Sequence, residues 1–167
     1  MFNVGDKVVY PHHGAGIVER VEERDVEGER KRFFILRLCR GDLKITVPET
    51  STERVGLRGV IGRSEVKSVF EVLHQGQSQM PSNWNHRFKK NRDKIRSGDV
   101  YQLAEVVRNL SIREREKGLS TGEKRMLNQA RQILLSEIIY VLNIDDDKAA
   151  KMLDDVFSQG SQQGQLA

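Results

Sequence analysis

The 167 residues are 37% hydrophobic and 31% charged with a formal net charge of +4. That is the balance of a soluble globular chain able to form one mid-sized domain or two small ones, and it excludes disorder-dominated and collagen-like classes. The charge is unevenly spread: residues 1–60 carry +1, residues 61–142 carry +6 and residues 143–167 carry −3, so an acidic partner is expected at the middle of the chain.

The N-terminal MFNVGDKVVYPHHG has neither the charged start nor the apolar core of a signal peptide. No apolar run approaches the ~18 residues of a membrane span, so a cytoplasmic location with no membrane partner is expected.

From residue 1 to about 57 the short apolar stretches VGDKVVY, AGIVERV, FFILRLC, LKITVP and RVGL, separated by Gly-rich punctuation, read as five antiparallel strands. Leu43, Ile45 and Val47 alternate with Lys44 and Thr46, which predicts one core face and one solvent face; the FFIL run, apolar on both sides, predicts a central strand. Val26-Glu27-Gly28-Glu29 and Arg40-Gly41-Asp42 supply the hairpin connections, and Pro48, with no N–H to donate, ends its strand or lies at an edge. Arg40-Gly41-Asp42 also matches a cell-adhesion tripeptide, but three residues coincide easily by chance, and the turn is the reading taken. The lone Cys39 cannot form an internal disulfide, and in its apolar run it reads as a small buried or half-buried thiol with nothing nearby to activate it. A β unit of this size, assigned to residues 1–60, is expected to be a small antiparallel barrel of SH3-like or Tudor-like type.

From about residue 62 the period switches to that of a helix. Val66, Val69, Phe70 and Leu73 form one stripe, Val100, Leu103, Ala104, Val107 and Leu110 a second, and Leu127, Ala130, Leu134, Ile138 and Val141 a third. Ser120-Thr121-Gly122-Glu123 introduces the third with S-x-x-E spacing, which lets Ser and Glu satisfy each other's orphan backbone donors. A last helix is expected from about Asp145 to Ser158, with three Asp residues in its first turn. The fold class is therefore α+β: the barrel, then an all-α domain of about five helices over residues 61–158. The polar QGSQQGQLA at 159–167 is expected to be disordered.

The chemistry of catalysis is missing from this pattern. No G-x-x-x-x-G-K-[ST] or G-x-S-x-G occurs, and the four histidines lack partners at metal-ligand spacing, His12 and His13 being adjacent on a turn. Neither an enzyme nor a cofactor or metal is expected.

The segment MPSNWNHRFKKNRDKIR, residues 80–96, holds the only Trp of the chain among six basic residues and one acid. Trp84, Phe88 and Ile95 fall on one side of a helix, so periodicity alone favours Trp84 as a core residue. Against that, Trp84 follows Pro81 and the cap candidates Ser82 and Asn83, which puts it in a first turn, and Arg87, Lys89, Lys90, Arg92, Lys94 and Arg96 take most of the remaining circumference. Exposure for binding is the open alternative. Lys124 and Arg125 stand in the first turn of their helix, where cations face the positive end of the dipole; an anion bound there would make the placement favourable, and a solvated charged turn is the plainer reading.

Taken together, VGDKVVYPHHGAGIV at 4–18, GDLKITVP at 41–48, VGLR at 55–58, Asn83-Trp84-x-x-Arg87, SGDVYQLAEVVR at 97–108 and KGLSTGEKRML at 117–127 resemble the CarD (CdnL-type) family of bacterial transcription regulators, over residues 1 to about 157. The resemblance implies a Tudor-like N-terminal domain that docks on the β subunit of RNA polymerase, and a helical domain that touches promoter DNA in the minor groove without reading sequence. It also implies a nucleoid-associated location through polymerase and no enzymatic activity.

On that resemblance Trp84 is a wedge at the upstream edge of the melted promoter, which overturns the core reading that periodicity favours. Arg87, Lys89, Lys90, Lys124 and Arg125 would hold backbone phosphates. Arg24, Lys44 and Thr46 match the polymerase-facing surface; some relatives carry Arg where this chain has Thr46. A monomer is expected. The alternative is a barrel-type adaptor for an acidic protein or RNA, with Trp84 in the core and no promoter role.

Overall fold

The computed structural model describes residues 2–39 and 43–166, with side chains described through Ser158. Five strands, β1 (Lys7–Tyr10), β2 (Gly14–Val26), β3 (Glu29–Leu38), β4 (Lys44–Pro48) and β5 (Arg58–Gly59), form one antiparallel sheet in the order β4-β3-β2-β1-β5. The β2–β3 hairpin turns at Glu27 and Gly28, both at positive φ (52° and 82°), as a two-residue turn matched to strand twist requires. Arg40-Gly41-Asp42, the other expected turn, lies outside the described residues.

The apolar run FFIL does lie in a central strand: Phe34, Ile35 and Leu36 of β3 are at most 3% exposed. They sit between β2 and β4, and Phe34 and Leu36 pack with Val8, Val18, Val47 and Leu57 in the sheet's core. Leu43 departs from its expected core face. It precedes the first ladder residue, Lys44, and is exposed.

The barrel does not close. The stretch expected as the fifth strand is instead a helical turn, α1 (Thr52–Val55), ended by Gly56 at φ 75°. That leaves β5 only two residues, paired with Val8 and Val9 of β1. The sheet therefore ends on β4 at one side and β5 at the other, and β4 is a free edge.

Five further helices follow: α2 (Arg63–His74), α3 (Trp84–Arg96), α4 (Val100–Glu116), α5 (Thr121–Leu142) and α6 (Asp146–Leu166). The apolar stripes of α2, α4 and α5 converge on one core in which Val69, Ala104, Val107, Leu110, Ala130, Leu134 and Ile138 are fully buried. α6 is continuous past the expected end at Ser158, but the residues that pack it, Ala149, Leu153, Val156 and Phe157, all precede that point. Among the described residues no helix is long and apolar enough to cross a membrane.

The sheet is fastened to the helices along α5. The amide of Ala15 on β2 donates to Ser136 Oγ at 2.8 Å, and that hydroxyl donates to Ile133 O at 2.6 Å. Gly14 permits the approach: it has φ 99°, and a Cβ there would stand 2.6 Å from Ser136 Oγ. At the next residue, the fully buried carboxylate of Glu137 takes both Nη groups of Arg58 (2.7 and 2.8 Å) and the amide of Ile61 (2.9 Å). Arg58 Nε donates to Gly98 O, which ties β5 to the α3–α4 loop as well. Lys7 Nζ reaches Tyr140 O at 3.1 Å.

A buried ion pair contributes little over an apolar one, but removing one partner strands the other charge at a cost of about 3–5 kcal/mol. Glu137→Ala orphans a guanidinium and an amide; because Arg58 is partly exposed, urea denaturation is expected to read a loss of about 3 kcal/mol.

Candidate nucleic-acid interface

The segment between α2 and α3 is pinned before α3 begins. Asn109 of α4, fully buried, donates to Ser78 Oγ at 2.8 Å and accepts from Ser78 N at 3.1 Å, while Gln77 Nε2 donates to Asn109 O at 3.1 Å. Glu105, also on α4, accepts from Ser78 Oγ at 2.9 Å and pairs with Lys94 of α3 at 2.8 Å. Asn83 then caps α3, its Oδ1 accepting from His86 N at 3.2 Å, so Trp84 is the first helical residue, projecting at the helix end.

Trp84 is 42% exposed. The core placement that periodicity favoured is not the one it adopts. One ring face stacks on Phe88 (centroids 4.9 Å apart, planes at 17°), and its Nε1–H donates to Ser120 Oγ at 2.9 Å. Gly122 lets the indole lie close to the start of α5: a Cβ there would be 3.5 Å from the Trp84 ring and 3.6 Å from Phe88.

Arg87 is placed otherwise than expected for a phosphate contact. It is 4% exposed. Its Nε and Nη2 donate to the two carboxylate oxygens of Glu123 at 2.8 and 3.2 Å, and Nη1 donates to the carbonyls of Ser82 and Pro81 at 3.1 and 3.3 Å. The S-x-x-E pattern accordingly closes by half. Ser120 Oγ accepts from Glu123 N at 3.2 Å, but the Glu123 side chain, 2% exposed, turns to Arg87 and to the Ser120 hydroxyl instead of to the backbone of its cap. Burial pushes the Glu123 carboxyl up, but hydrogen bonds and charge from Arg87, then Ser120 and Arg113, more than offset it and hold the group below its ordinary range.

Ser120 and Glu123 thus orient the indole, a role the sequence reading missed. Their spacing marked both residues, but the partner that redirects Glu123 lies 36 residues away.

Lys89, Lys90, Lys124 and Arg125 are exposed, and none has a carboxylate within ion-pair distance among the described residues. Lys89 and Lys90 share α3 with Trp84, and Lys124 and Arg125 follow Gly122 and Glu123 in the first turn of α5, the turn on which the indole rests. Four cations therefore lie on the two helices whose starts hold a half-exposed aromatic ring. No group of three or more His, Cys, Asp or Glu residues among the described residues is arranged to hold a metal.

The other three site residues share the outer face of the sheet. Thr46 pairs in register with Ile35, Lys44 with Arg37, and Arg24 with Lys31. Both cations are already partnered: Arg24 with Glu22 at 2.6 Å and over the Phe33 ring, Lys44 with Glu19 at 3.1 Å. Glu22 lies below its ordinary range through hydrogen bonds from Arg20 and Arg24, and Glu19 through its hydrogen bond from Lys44. Thr46 is exposed on the free edge strand.

Comparison with known proteins returns two family models in tandem. Residues 2–61 match the CarD-like/TRCF RID domain and residues 68–154 match the CarD C-terminal domain. The chain is also 34% identical over 146 residues to a protein of Bacillus subtilis (strain 168) named "Putative transcription factor YdeB", covering 87% of this chain and 95% of that protein.

Two outcomes are expected of the clamp. Ser120→Ala removes a helix cap and the indole's acceptor together, so stability falls by about 1 kcal/mol and acrylamide quenching of the single Trp rises. The stability supplied by the Arg87–Glu123 pair depends on a carboxyl held below its ordinary range. It is complete above that range and lost as pH falls through the lowered value; urea titrations of Glu123→Gln are expected to lack this acid-dependent component.

Proposed function

This chain belongs to the CarD family of transcription regulators, and from that premise we propose that it tethers itself to the RNA polymerase β subunit through its sheet and stabilises the opened promoter by wedging Trp84 at the upstream edge of the bubble. The observation that carries the reading is the half-exposed indole of Trp84, clamped by Ser120 and Phe88 with unpaired cations on either side.

An apolar ring can occupy the gap left where a base step unstacks, and unstacking costs a few kcal/mol. A protein that binds only the opened form shifts the equilibrium toward it by its differential affinity and no more. Such a wedge works best when its rotamer is set before DNA arrives, because the ordering cost is then already met in folding. The stack on Phe88 and the Nε1–H bond to Ser120 supply that order. Lys89, Lys90, Lys124 and Arg125 then hold phosphates on either side and leave promoter choice to the polymerase. Arg87 acts through Glu123 as a positioning residue, in place of the phosphate contact expected of it.

On the polymerase side, β4 offers an unpaired backbone edge of five residues ending in Pro48. An added strand from the partner would make its main-chain bonds there, with Lys44 and Thr46 at the junction and Arg24 two strands in from it. The family's RID domain is known for interaction with RNA polymerase. A transcription-regulating role by binding alone requires no catalytic group.

Trp84→Ala is expected to leave co-purification with the β subunit intact and to shorten open-complex lifetime about tenfold, the factor that ~1.4 kcal/mol of lost preference for the opened form produces. Equal lifetimes for variant and wild type would remove the wedge. Affinity for isolated duplex is expected to be weak at physiological salt, since few phosphates are met.

A further inference from the structure

Beneath the Trp84–Phe88 stack, α3 and α5 leave a groove of about 350 Å³. Phe88 and Met126 contribute apolar lining, Arg92, Arg96 and Arg125 three guanidinium groups, and His12, on the β1–β2 turn of the other unit, an imidazole. No carboxylate lines it among the described residues. Gly122, where Trp84 and Phe88 approach α5, also lines the groove, which sets it beside the indole.

Three observations mark this groove as a site built for an anion. The first is charge: Arg92 and Arg96 are four residues apart on α3, one turn, and line the same groove as Arg125 of α5, with no carboxylate among the described lining residues. Like charges so placed repel unless an anion joins them. The second is an orphan donor. Arg92 Nε is shielded from solvent and has no hydrogen-bond acceptor among the described residues, and buried donors are rarely left that way.

The third is backbone strain. His12 has φ 91° without being glycine, and its carbonyl is held against α5 by Gln129 Nε2 at 3.3 Å; strained residues of this kind persist where the surroundings over-determine them, and they cluster at functional sites. Burial, then Arg96 and His13, hold the His12 ring below the usual histidine range, so the cationic field reaches it.

We propose that this groove binds a phosphate group, held by Arg92, Arg96 and Arg125 with His12 completing the ring of donors. A carboxylate is taken up by a single guanidinium fork, whereas guanidiniums arriving from two helices match an anion whose oxygens diverge, and the apolar lining beside them suits the sugar or base that accompanies such a phosphate. The phosphate belongs either to a nucleic-acid strand running past Trp84 or to a free nucleotide. In both cases residues of the sheet unit and of the helical unit meet one ligand, a contact separate from the wedge.

The test follows the Cε1–H resonance of His12 in the full chain by NMR, assigned among the four histidines by its loss in His12→Gln. Inorganic phosphate, dAMP and a short single-stranded DNA are titrated in turn at 50 and 200 mM salt. The His12 resonance is expected to move with at least one of them. An Arg92→Gln/Arg96→Gln variant should bind about tenfold more weakly and, for DNA, show a salt slope lower by about 1.4, two phosphate contacts on a single strand. A Lys67→Gln/Lys151→Gln variant, altered on α2 and α6 outside the groove, should keep the His12 shift.

Tighter binding of DNA than of dAMP assigns the strand as the source, and the reverse assigns the free nucleotide. A His12 resonance unmoved by all three probes, or an arginine variant that binds as wild type while His13, His74, His86 and the Trp84 emission report an intact fold, overturns the proposal. Open-complex lifetime reads the wedge and His12 reads the groove, so failure of one leaves the other standing.

Discussion

A carboxylate withdrawn from water has to be met by a cation in a fixed place, and α5 withdraws two. Glu123 lies in its first turn and Glu137 fourteen residues on, and both are at most 2% exposed. Each takes a bidentate arginine from a different part of the chain: Arg87 of α3 and Arg58 of β5. Neither arginine can leave without stranding a charge. The two pairs, about 21 Å apart along one helix, therefore fix the start of α3, with its indole, and the end of the sheet against the same rod.

This division of labour sorts the basic residues into two kinds that composition cannot separate. Arg58, Arg87 and Arg108 are internal fittings; Arg108, 3% exposed, donates to Val72 O and Asn109 Oδ1 and so holds α2 to α4. Lys89, Lys90, Lys124 and Arg125 stay solvated and unpaired among the described residues, and their field is the one an incoming polyanion meets. On the sheet's outer face the pattern differs again. Arg20, Arg24, Arg37 and Lys44 surround Glu19 and Glu22 in a mutual network, so that surface presents paired charges and an open strand edge instead of a bare cationic field.

Local pattern carried the parts of the fold that local physics decides. The helical stripes, the central FFIL strand and the positive-φ turn at Glu27-Gly28 are set by burial and backbone sterics within a few residues, and each was legible. The departures have non-local causes. Thr52–Val55 is helical where a strand was expected, which shortens β5 and leaves the barrel open. Arg87 reads as one more cation on a basic helix until Glu123 is brought beside it, and Glu123 reads as half of a capping box until Arg87 redirects it. Trp84 was divided between core and surface because its stripe mates, Phe88 and Ile95, are real packing residues; only the position of Trp84 at the helix start decides for the surface. Arg58 and His12 gave no signal of their own, since each matters through α5, more than sixty residues away.

The seam at Gly14, Ala15 and Ser136 is backbone against side chain, with no slack chain between the halves. A molecule joined this way behaves as a bracket of set angle. Whatever grips its two ends is brought to one separation, and any mismatch has to be absorbed by the softer of the gripped bodies. Nucleic acid bends and unstacks for a few kcal/mol, and the buried Arg58–Glu137 pair that crosses the seam costs about as much or more to break. Under the proposed function, the duplex is the body that gives way.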